Sequence, residues 1–247
     1  MSLAGKRVLV TGGAARLGAA ICRRLAQDGA SLSVHFHQSA TAAKALVEEF
    51  GGTSAGHRLC ACDLRNSDAV ARLIDDAGPV DILVNNASVF RPVPLADEAT
   101  ADAMDQFLVN FWAPLALMQA FRRQGRPDGC IVNLLDQRIR RIAEDGSYSL
   151  SKKALADATL AAAQQWGPGI RVNAVAPGAV LPPKGLPNAV MARARTEMPL
   201  DRPPSPEDIA DACLHLATTP ALTGQILFLD GGQHLTAGVA LRAPSSP

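Results

Sequence analysis

The chain has 247 residues, a length that accommodates one large domain or at most two small ones. Its 24 basic and 23 acidic residues leave a formal net charge of +1, which argues against a dedicated nucleic-acid or membrane-surface binder. Hydrophobic residues make up 48% of the chain, enough for a sizeable core, but aromatic residues only 4%, with a single tyrosine, Tyr148. A residue type used once is a candidate for a specific role.

The apolar segments and the cysteines indicate the cellular compartment of the protein. No run approaches the ~18 apolar residues of a membrane span, and the apolar stretch near the start is too short for a signal-peptide core. The five cysteines are scattered and odd in number, and Cys60 and Cys62 have no second pair of metal-ligating residues. These features predict a cytoplasmic protein with reduced thiols and no metal site.

Apolar, β-branched runs alternate with segments of helical spacing along the chain. The predicted strands are Lys6–Thr11, Ala30–Phe36, His57–Cys62, Asp81–Val84, Cys130–Leu134, Arg171–Val175 and Gln225–Leu229. The predicted helices are Arg16–Asp28, Thr41–Phe50, Asp68–Ala77, Thr100–Arg123 with an interruption at Pro114, Tyr148–Trp166 and Pro206–Ala217. Continuously apolar strands are typical of a parallel sheet covered on both faces, so the pattern predicts a doubly wound α/β fold with seven parallel strands.

The organisation along the chain predicts a single domain. There is no internal repeat and no separating linker, so the domain is expected to cover residues 1–242, with a disordered tail over Ala243–Pro247. A Pro-rich stretch from Pro177 to Pro206 separates the sixth strand from the last helix. In this fold such loops lie over the carboxyl ends of the strands, where ligands bind.

A glycine-rich turn, Thr11 to Gly18, joins the first strand to the first helix. Small residues in such a turn let the backbone approach a pyrophosphate, which then meets the N–H groups at the start of the helix. A plain tight turn is the alternative interpretation. Its place after the first strand of an α/β pattern favours a dinucleotide site.

The second strand indicates which dinucleotide binds. An NAD site usually places an acidic residue about 20 residues beyond the glycine turn, where it binds the ribose 2′-hydroxyl. Here the strand ends in His35, Phe36, His37, Gln38 and Ser39. The missing acid, with Arg16 in the glycine turn, favours a 2′-phosphate and therefore NADPH. Asp63, followed by Leu64 after the third strand, is placed either to meet the adenine edge or to cap the next helix.

The single tyrosine has a lysine on the same side of its helix. Tyr148 and Lys152 are four residues apart and so share one helix face. A free tyrosine has a pKa of about 10, so only about one in a thousand is ionised at pH 7. A fixed positive charge within a few ångströms favours the phenolate and makes the group useful in proton transfer near neutrality. The alternative is an ordinary surface pair, against which the use of the only tyrosine argues.

These motifs occur in a familiar order. They are Thr11-Gly12…Gly18, Asn85-Asn86-Ala87, Asn110, Tyr148-x-x-x-Lys152, Pro177-Gly178 and Asp230-Gly231-Gly232. Over practically its whole length the sequence resembles the classical short-chain dehydrogenase/reductase family. The resemblance implies a Rossmann-type domain in which Tyr148 is the catalytic acid and Asn110 anchors a water in a proton relay. It also implies that Lys152 holds the nicotinamide ribose and lowers the pKa of Tyr148.

The resemblance further implies a set of cofactor contacts and an assembly. The contacts are Gly12, Arg16, Leu17, Gly18, His35, Phe36, His37, Ser39, Asp63, Leu64, Asn86, Ala87, Ser88, Tyr148, Lys152, Pro177 and Gly178. Members of the family usually form homodimers or homotetramers through the two long helices, here Thr100–Arg123 and Tyr148–Trp166.

Two positions depart from the general family pattern. Arg16 replaces the middle glycine of the first turn, and Asp136 replaces the serine expected about a dozen residues before the tyrosine. A degenerate, inactive member of the family could show such losses. Together with Ser88, Phe90 and the run from His35 to Ser39, however, they resemble the pteridine reductase branch. Within that run, Gln38 stands where these reductases often have an arginine.

The pteridine reductase resemblance implies substrate contacts by Arg16, Ser88, Phe90, Asp136 and Tyr148. Phe90 would stack on the pterin opposite the nicotinamide, Ser88 would bond the pterin edge, and Arg16 would reach both the phosphates and the pterin. Asp136 would help to return a proton to Tyr148, since the nitrogen of a pterin C=N bond gains a proton as hydride reaches the carbon. The alternatives are a buried loop aromatic for Phe90 and a loop-capping acid for Asp136.

The sequence therefore predicts an NADPH-dependent reductase of dihydropterins, with dihydrofolate as a further candidate substrate. A general short-chain carbonyl or alcohol oxidoreductase is the alternative, and a non-enzymatic nucleotide-sensing or scaffold protein is a third class. The loop from Val180 to Leu200, which would close over the substrate, has no readable pattern. The basic run of Arg138, Arg140 and Arg141 could attract an anionic substrate tail, but a solvated loop is the favoured interpretation.

Overall fold

The computed structural model describes residues 2–140, 145–182, 189–236 and 239–241. The strands in these ranges are β1 (Arg7–Val10), β2 (Ser31–Phe36), β3 (Arg58–Ala61), β4 (Ile82–Asn85), β5 (Gly129–Leu134), β6 (Ile170–Pro177) and β7 (Ile226–Leu229). The α-helices are α1 (Arg16–Gln27), α2 (Ala40–Glu49), α3 (Ser67–Ala77), α4 (Thr100–Phe107), α5 (Ala113–Arg123), α6 (Gly146–Trp166), α7 (Ala189–Thr196) and α8 (Pro206–Thr218).

All strands of the described chain join one parallel sheet in the order β3-β2-β1-β4-β5-β6-β7. Val8 of β1 pairs with Leu32 of β2 on one side and with Ile82 of β4 on the other. The chain therefore reverses its direction of winding at β1, and the crevice beyond the carboxyl ends of β1 and β4 is the place where open α/β sheets bind ligands. The predicted doubly wound, seven-stranded fold is confirmed.

Helices cover both faces of the sheet, which explains why the strands are apolar without alternation. Val8 and Val10 of β1 pack in a buried cluster that also contains residues of α1, α2 and α8. Leu9, between them, packs in the opposite cluster with residues of α3, α5 and α6. No helix of the described residues is long and apolar enough to cross a membrane.

The structure refines several predicted elements. The segment predicted as one helix over Thr100–Arg123 is α4, a π-helical turn at Leu108–Trp112 and then α5. Pro114 has no N–H to donate to the carbonyl four residues earlier, that of Asn110, and the backbone is widened just before the proline. β6 extends two residues beyond the predicted end, to Pro177, and the predicted pattern lacked α7.

Some predictions fall outside the described residues. The predicted tail, 243–247, lies outside them, as does Arg141 of the basic run and the part of the predicted substrate loop at 183–188. The five cysteines lie within the described ranges and are all buried free thiols.

Candidate active site

The glycine turn is built so that the backbone is bare where β1 meets α1. Gly12 has a φ of 62°, a left-handed conformation that glycine adopts without strain. A Cβ on Gly18 would overlap the carbonyl of Gly12 and lie 2.7 Å from the side-chain nitrogen of Asn86. The N-cap of α1, Ala15, makes no side-chain hydrogen bond to the first N–H groups of the helix. These features fit the pyrophosphate of a dinucleotide, which bare backbone and unpaired helix N–H groups can bind.

Arg16 has a backbone conformation that favours glycine. Its φ is 50°, in the left-handed region, at a cost on the order of 1 kcal/mol for a residue with a Cβ. Its exposed guanidinium donates to the carbonyl of Pro182 at 2.7 Å. The side chain thus reaches from the glycine turn to the segment after β6, across the mouth of the crevice.

The end of β4 is tied to the glycine turn. The Asn86 side chain donates to the carbonyls of Thr11 (2.9 Å) and Gly12 (3.2 Å). In return, the backbone N–H groups of Asn86 and Ala87 donate to the Thr11 hydroxyl oxygen at 2.9 and 3.0 Å. Asn86 and Ala87 thus fix the turn that would hold the phosphates.

His35 lies beneath the glycine turn and supports it. Nδ1 accepts from the N–H of Gly12 at 2.9 Å, and Nε2 lies 3.0 Å from the carbonyl of Cys62, so the ring is the Nε2–H tautomer. Burial lowers the pKa of His35 to about 4, against a smaller opposing effect of the Cys62 carbonyl. Both ring nitrogens therefore have backbone partners, and the cofactor contact expected of His35 stays a prediction.

The residues after β2 and β3 lie close together at the expected ribose end. His37, Gln38 and Ser39 are exposed, and the His37 ring nitrogen is 3.6 Å from the carboxylate of Asp63. The alternative prediction that Asp63 caps the next helix is wrong, because Asn66 is the N-cap of α3. Phe36 is half-buried against the core, and Leu64 is buried among apolar side chains.

Tyr148 and Asp136 meet across the space between β5 and α6. The Tyr148 hydroxyl donates to Oδ2 of Asp136 at 2.9 Å, while Oδ1 accepts from the N–H of Arg138 at 2.9 Å. One carboxylate oxygen thus caps the 3₁₀ turn at Gln137–Arg140, and the other bonds the tyrosine. The Oδ1 contact fits the alternative of a loop-capping acid, and the Oδ2 contact is the one that a role beside Tyr148 requires.

The pKa of Tyr148 moves upward, opposite to the predicted direction. Burial raises it first and the Asp136 carboxylate raises it further, with a smaller opposing effect of Arg138. Lys152 is buried and donates to the carbonyl of Leu134 at 2.8 Å, and burial lowers its pKa to about 8 despite the nearby Asp136. The nearest charge to the phenol in the described residues is thus a carboxylate, so the tyrosine stays protonated in the chain alone.

The loop after β4 presents Phe90 to the tyrosine. The two rings meet edge to face, with centroids 4.6 Å apart, and Phe90 remains half-exposed, so the buried-aromatic alternative is wrong. The Asn110 side-chain oxygen accepts from the Ser88 hydroxyl (3.0 Å) and the Val89 N–H (2.9 Å), and its nitrogen donates to the Val89 carbonyl at 2.9 Å. Asn110 therefore braces this loop, and its predicted part in a water relay stays a prediction.

Arg138 belongs to the site, contrary to the prediction of a solvated loop. Its guanidinium bonds Oδ2 of Asp136 at 3.0 Å and lies 2.7 Å from the Asp145 carboxylate. It also lies over the ring of Phe90, 5.3 Å from the centroid. No feature of the sequence distinguishes it from Arg140, which is exposed two residues later.

Beyond β6, the chain turns tightly against the end of β7. Pro177 is buried, and the N–H of Gly178 donates to the carbonyl of Leu229 at 2.9 Å. A Cβ on Gly178 would lie 2.7 Å from Cβ of Asp230. The Pro177-Gly178 pair thus directs the following segment over the carboxyl end of the sheet.

Comparison with known proteins identifies similar sequences over nearly the whole chain. Residues 12–234 match the family described as enoyl-(acyl carrier protein) reductase. D-threitol dehydrogenase of Mycolicibacterium smegmatis is 32% identical over 243 residues, covering 93% of each chain. Galactitol 2-dehydrogenase (L-tagatose-forming) of Cereibacter sphaeroides is 34% identical over 249 residues, covering 93% of this chain and 95% of the relative.

Solved structures also match this fold over nearly the whole chain. The FolM alternative dihydrofolate reductase 1 of Brucella canis, complexed with NADP, has 34% identity and a TM-score of 0.86, over 94% of this chain and 95% of that one. A short-chain dehydrogenase/reductase of Serratia marcescens has 30% identity and a TM-score of 0.87, over 95% of this chain and 100% of that one.

Proposed function

Because the chain belongs to the short-chain dehydrogenase/reductase family of oxidoreductases, we propose that it is an NADPH-dependent reductase of dihydropterins, with dihydrofolate as a further candidate substrate. The observation that carries the proposal is the hydrogen bond from Tyr148 to Asp136, at the position where a carbonyl reductase would have a serine. A serine hydroxyl can hold a developing alkoxide. A carboxylate suits a substrate whose nitrogen needs a proton.

The proposed cofactor rests on the glycine turn and on the residues after β2. The backbone of Gly12 and Gly18, which has no side chain in the way, would hold the pyrophosphate at the start of α1. The end of β2 has no acidic residue, and the exposed His37 and Ser39 that follow it would bind the 2′-phosphate. The bound nicotinamide would supply the hydride. The NADP complex of the similar Brucella canis protein supports the choice of NADPH.

The protonation of the site favours the reductive direction. Reduction of a C=N bond needs an acid, and the raised pKa of Tyr148 keeps its proton in place at neutral pH. After the tyrosine has donated, Asp136, whose side chain is 12% exposed, connects it to water and returns a proton. Lys152 uses one of its three N–H donors on the Leu134 carbonyl, which leaves two to orient a ribose.

The surroundings of Tyr148 suit a flat substrate. Phe90 is half-exposed beside the tyrosine and would offer its ring to a pterin, while Ser88 and Arg16 supply polar groups at the edges of the same crevice. The similarity to a dihydrofolate reductase of this fold supports this substrate class for the present chain.

A second candidate function is oxidation of alcohols or reduction of carbonyls with NADP(H). It is favoured by the relatives named as D-threitol and galactitol dehydrogenases. The two functions demand different chemistry at position 136, which makes this residue the discriminating one.

Asp136→Ser tests the proposal. We expect kcat/KM for a dihydropterin to fall about a hundredfold or more, because the proton path to Tyr148 loses its carboxylate. A carbonyl reductase would tolerate the change. The matched control is Asp157→Ser, which removes an exposed carboxylate from the same helix as Tyr148. Unchanged dihydropterin reduction by Asp136→Ser, measured as NADPH oxidation, would overturn the assignment.

We also propose that the chain assembles through α4 to α6. Large apolar side chains are exposed along these helices, at Met104, Trp112, Leu150 and Leu160. Two or four copies packed through these helices would cover them. A mass equal to one chain by light scattering would contradict this proposal.

A further inference from the structure

Arg138 joins three separate segments of the site. It follows Asp136 in the 3₁₀ turn after β5, and its guanidinium bonds Oδ1 and Oδ2 of that residue at 3.2 and 3.0 Å. The same group lies 2.7 Å from the carboxylate of Asp145, the N-cap residue of α6 and three residues before Tyr148. It also lies over the face of Phe90, in the loop after β4.

The charge of Arg138 is already committed to these partners. Its side chain is 27% exposed, with Nη1 on the Asp136 carboxylate and Nε beside that of Asp145, so two carboxylates already neutralise its charge. Burial alone would lower the pKa of the guanidinium, but Asp136 and Asp145 outweigh it and hold the pKa above the ordinary value. Arg138 therefore remains a cation throughout the pH range of an enzyme assay.

The geometry gives this cation a specific task. A carboxylate with a single hydroxyl partner can rotate, whereas Asp136 is held by Nη1 of Arg138, which bonds both carboxylate oxygens, and by the Arg138 N–H. The held orientation directs Oδ2 to the Tyr148 hydroxyl. The contact over Phe90 fixes the ring that stands edge-on to the same tyrosine.

We infer that Arg138 is a positioning residue that holds the Asp136 carboxylate on the Tyr148 hydroxyl and the Phe90 ring beside it. The inference rests on the proposed function, since it assigns Arg138 a part in that proton transfer and in that substrate contact. In the described residues, the charged and titratable groups around Asp136 are Arg138 on its own turn, Tyr148 and Lys152 on α6, and Asp145 at the N-cap of α6.

Arg138→Met and Arg138→Lys test the inference, with Arg140→Met as the matched control in the same turn. In Arg138→Met we expect kcat to fall about ten- to hundredfold, because the charge-assisted bonds that hold Asp136 are lost. KM for the substrate should rise, because the Phe90 ring loses the contact that fixes it.

Arg138→Lys separates charge from geometry. The lysine keeps the cation but not the planar guanidinium that reaches Asp136 through Nη1 and Asp145 through Nε, so we expect only part of kcat to return while KM for the substrate stays raised. Arg140→Met should match the wild type. A fall in kcat that Arg138→Lys does not partly restore, or one matched by an equal loss of NADPH affinity, would indicate a merely structural role and overturn the inference, as would a wild-type kcat in either Arg138 variant.

Two measurements distinguish failure of this inference from misfolding of the variant and from failure of the proposed function. NADPH affinity, followed by fluorescence, should stay within about twofold of the wild type, which shows that the variant is folded; if Arg138→Met does not fold, the partial kcat of Arg138→Lys decides. The values of kcat and KM are compared on whichever substrate the wild type reduces. Absence of dihydropterin turnover by the wild type would overturn the proposed function, and the comparison of kcat and KM among the variants would still decide the part of Arg138.

Discussion

At the scale of single residues, the buried side chain of His35 braces the glycine turn from beneath. Its two ring nitrogens connect the Gly12 N–H to the Cys62 carbonyl, so the neutral ring fastens the glycine turn to the end of β3. The folded chain resists protonation of this ring, with a pKa of about 4, whereas the unfolded chain takes up the proton near 6.5. The stability that the ring contributes is therefore complete above pH 6.5 and is lost as the pH falls towards 4.

His35→Gln should reveal this contribution. Between pH 6.5 and 4 the free energy of unfolding of the wild type should fall by up to about 3 kcal/mol more than that of the variant, which has no proton to gain. The measurement is urea unfolding at several pH values. His57, whose pKa burial also lowers, adds the same slope to both proteins. An identical pH slope in the two proteins would show that His35 does not carry the effect.

At the scale of elements, a short network joins the start of α6 to the loop that carries Phe90. The Glu98 carboxylate accepts from the N–H and hydroxyl of Ser147 at 2.8 and 2.7 Å, and from the Gln106 side chain at 2.8 Å. Gln106 in turn accepts from the N–H of Arg91, next to Phe90. The tyrosine and the aromatic ring beside it are thus positioned by one connected set of bonds.

Gly146→Ala tests the importance of this junction. Gly146 has a φ of 52°, and a Cβ there would lie 2.6 Å from both Oε2 of Glu98 and the carbonyl of Val93. Gly125→Ala is a matched control, because its φ is 63° but a Cβ would have nothing within 4 Å. We expect the control to lose about 1–3 kcal/mol through backbone strain alone, and Gly146→Ala to lose more stability and also kcat. Equal losses of Tm and equal kcat in the two variants would contradict the expectation.

At the scale of the whole molecule, much of the fold was predictable because the pattern is strong. Apolar runs separated by helices of the right length specify a parallel sheet, and the resulting strand order brings the glycine turn, Tyr148 and Asp136 to one edge. The π-turn at Leu108–Trp112 was missed because its hydrophobic spacing continues that of the helices on either side. Helix α7 was missed because its hydrophobic spacing is weaker than that of the other helices.

The charge state of the site was the least predictable part. The sequence places Lys152 one turn from Tyr148, and spacing alone suggests a lowered pKa for the phenol. The fold instead gives the hydroxyl a carboxylate partner and buries both groups, which are effects of tertiary packing. In the same way Arg138 and Arg140 look alike in the sequence, and only the turn after β5 separates the site residue from the exposed one.

Reduction of dihydropterins is best tested by NADPH oxidation with the purified chain. Dihydrobiopterin, dihydromonapterin and dihydrofolate would be compared side by side with simple ketones and aldehydes, and D-threitol and galactitol would be tested with NADP⁺. We expect turnover of at least one dihydropterin that falls about a hundredfold or more in Tyr148→Phe, because the proton at the hydroxyl is lost. Turnover of ketones or sugar alcohols with no oxidation of NADPH by any dihydropterin would contradict the claim.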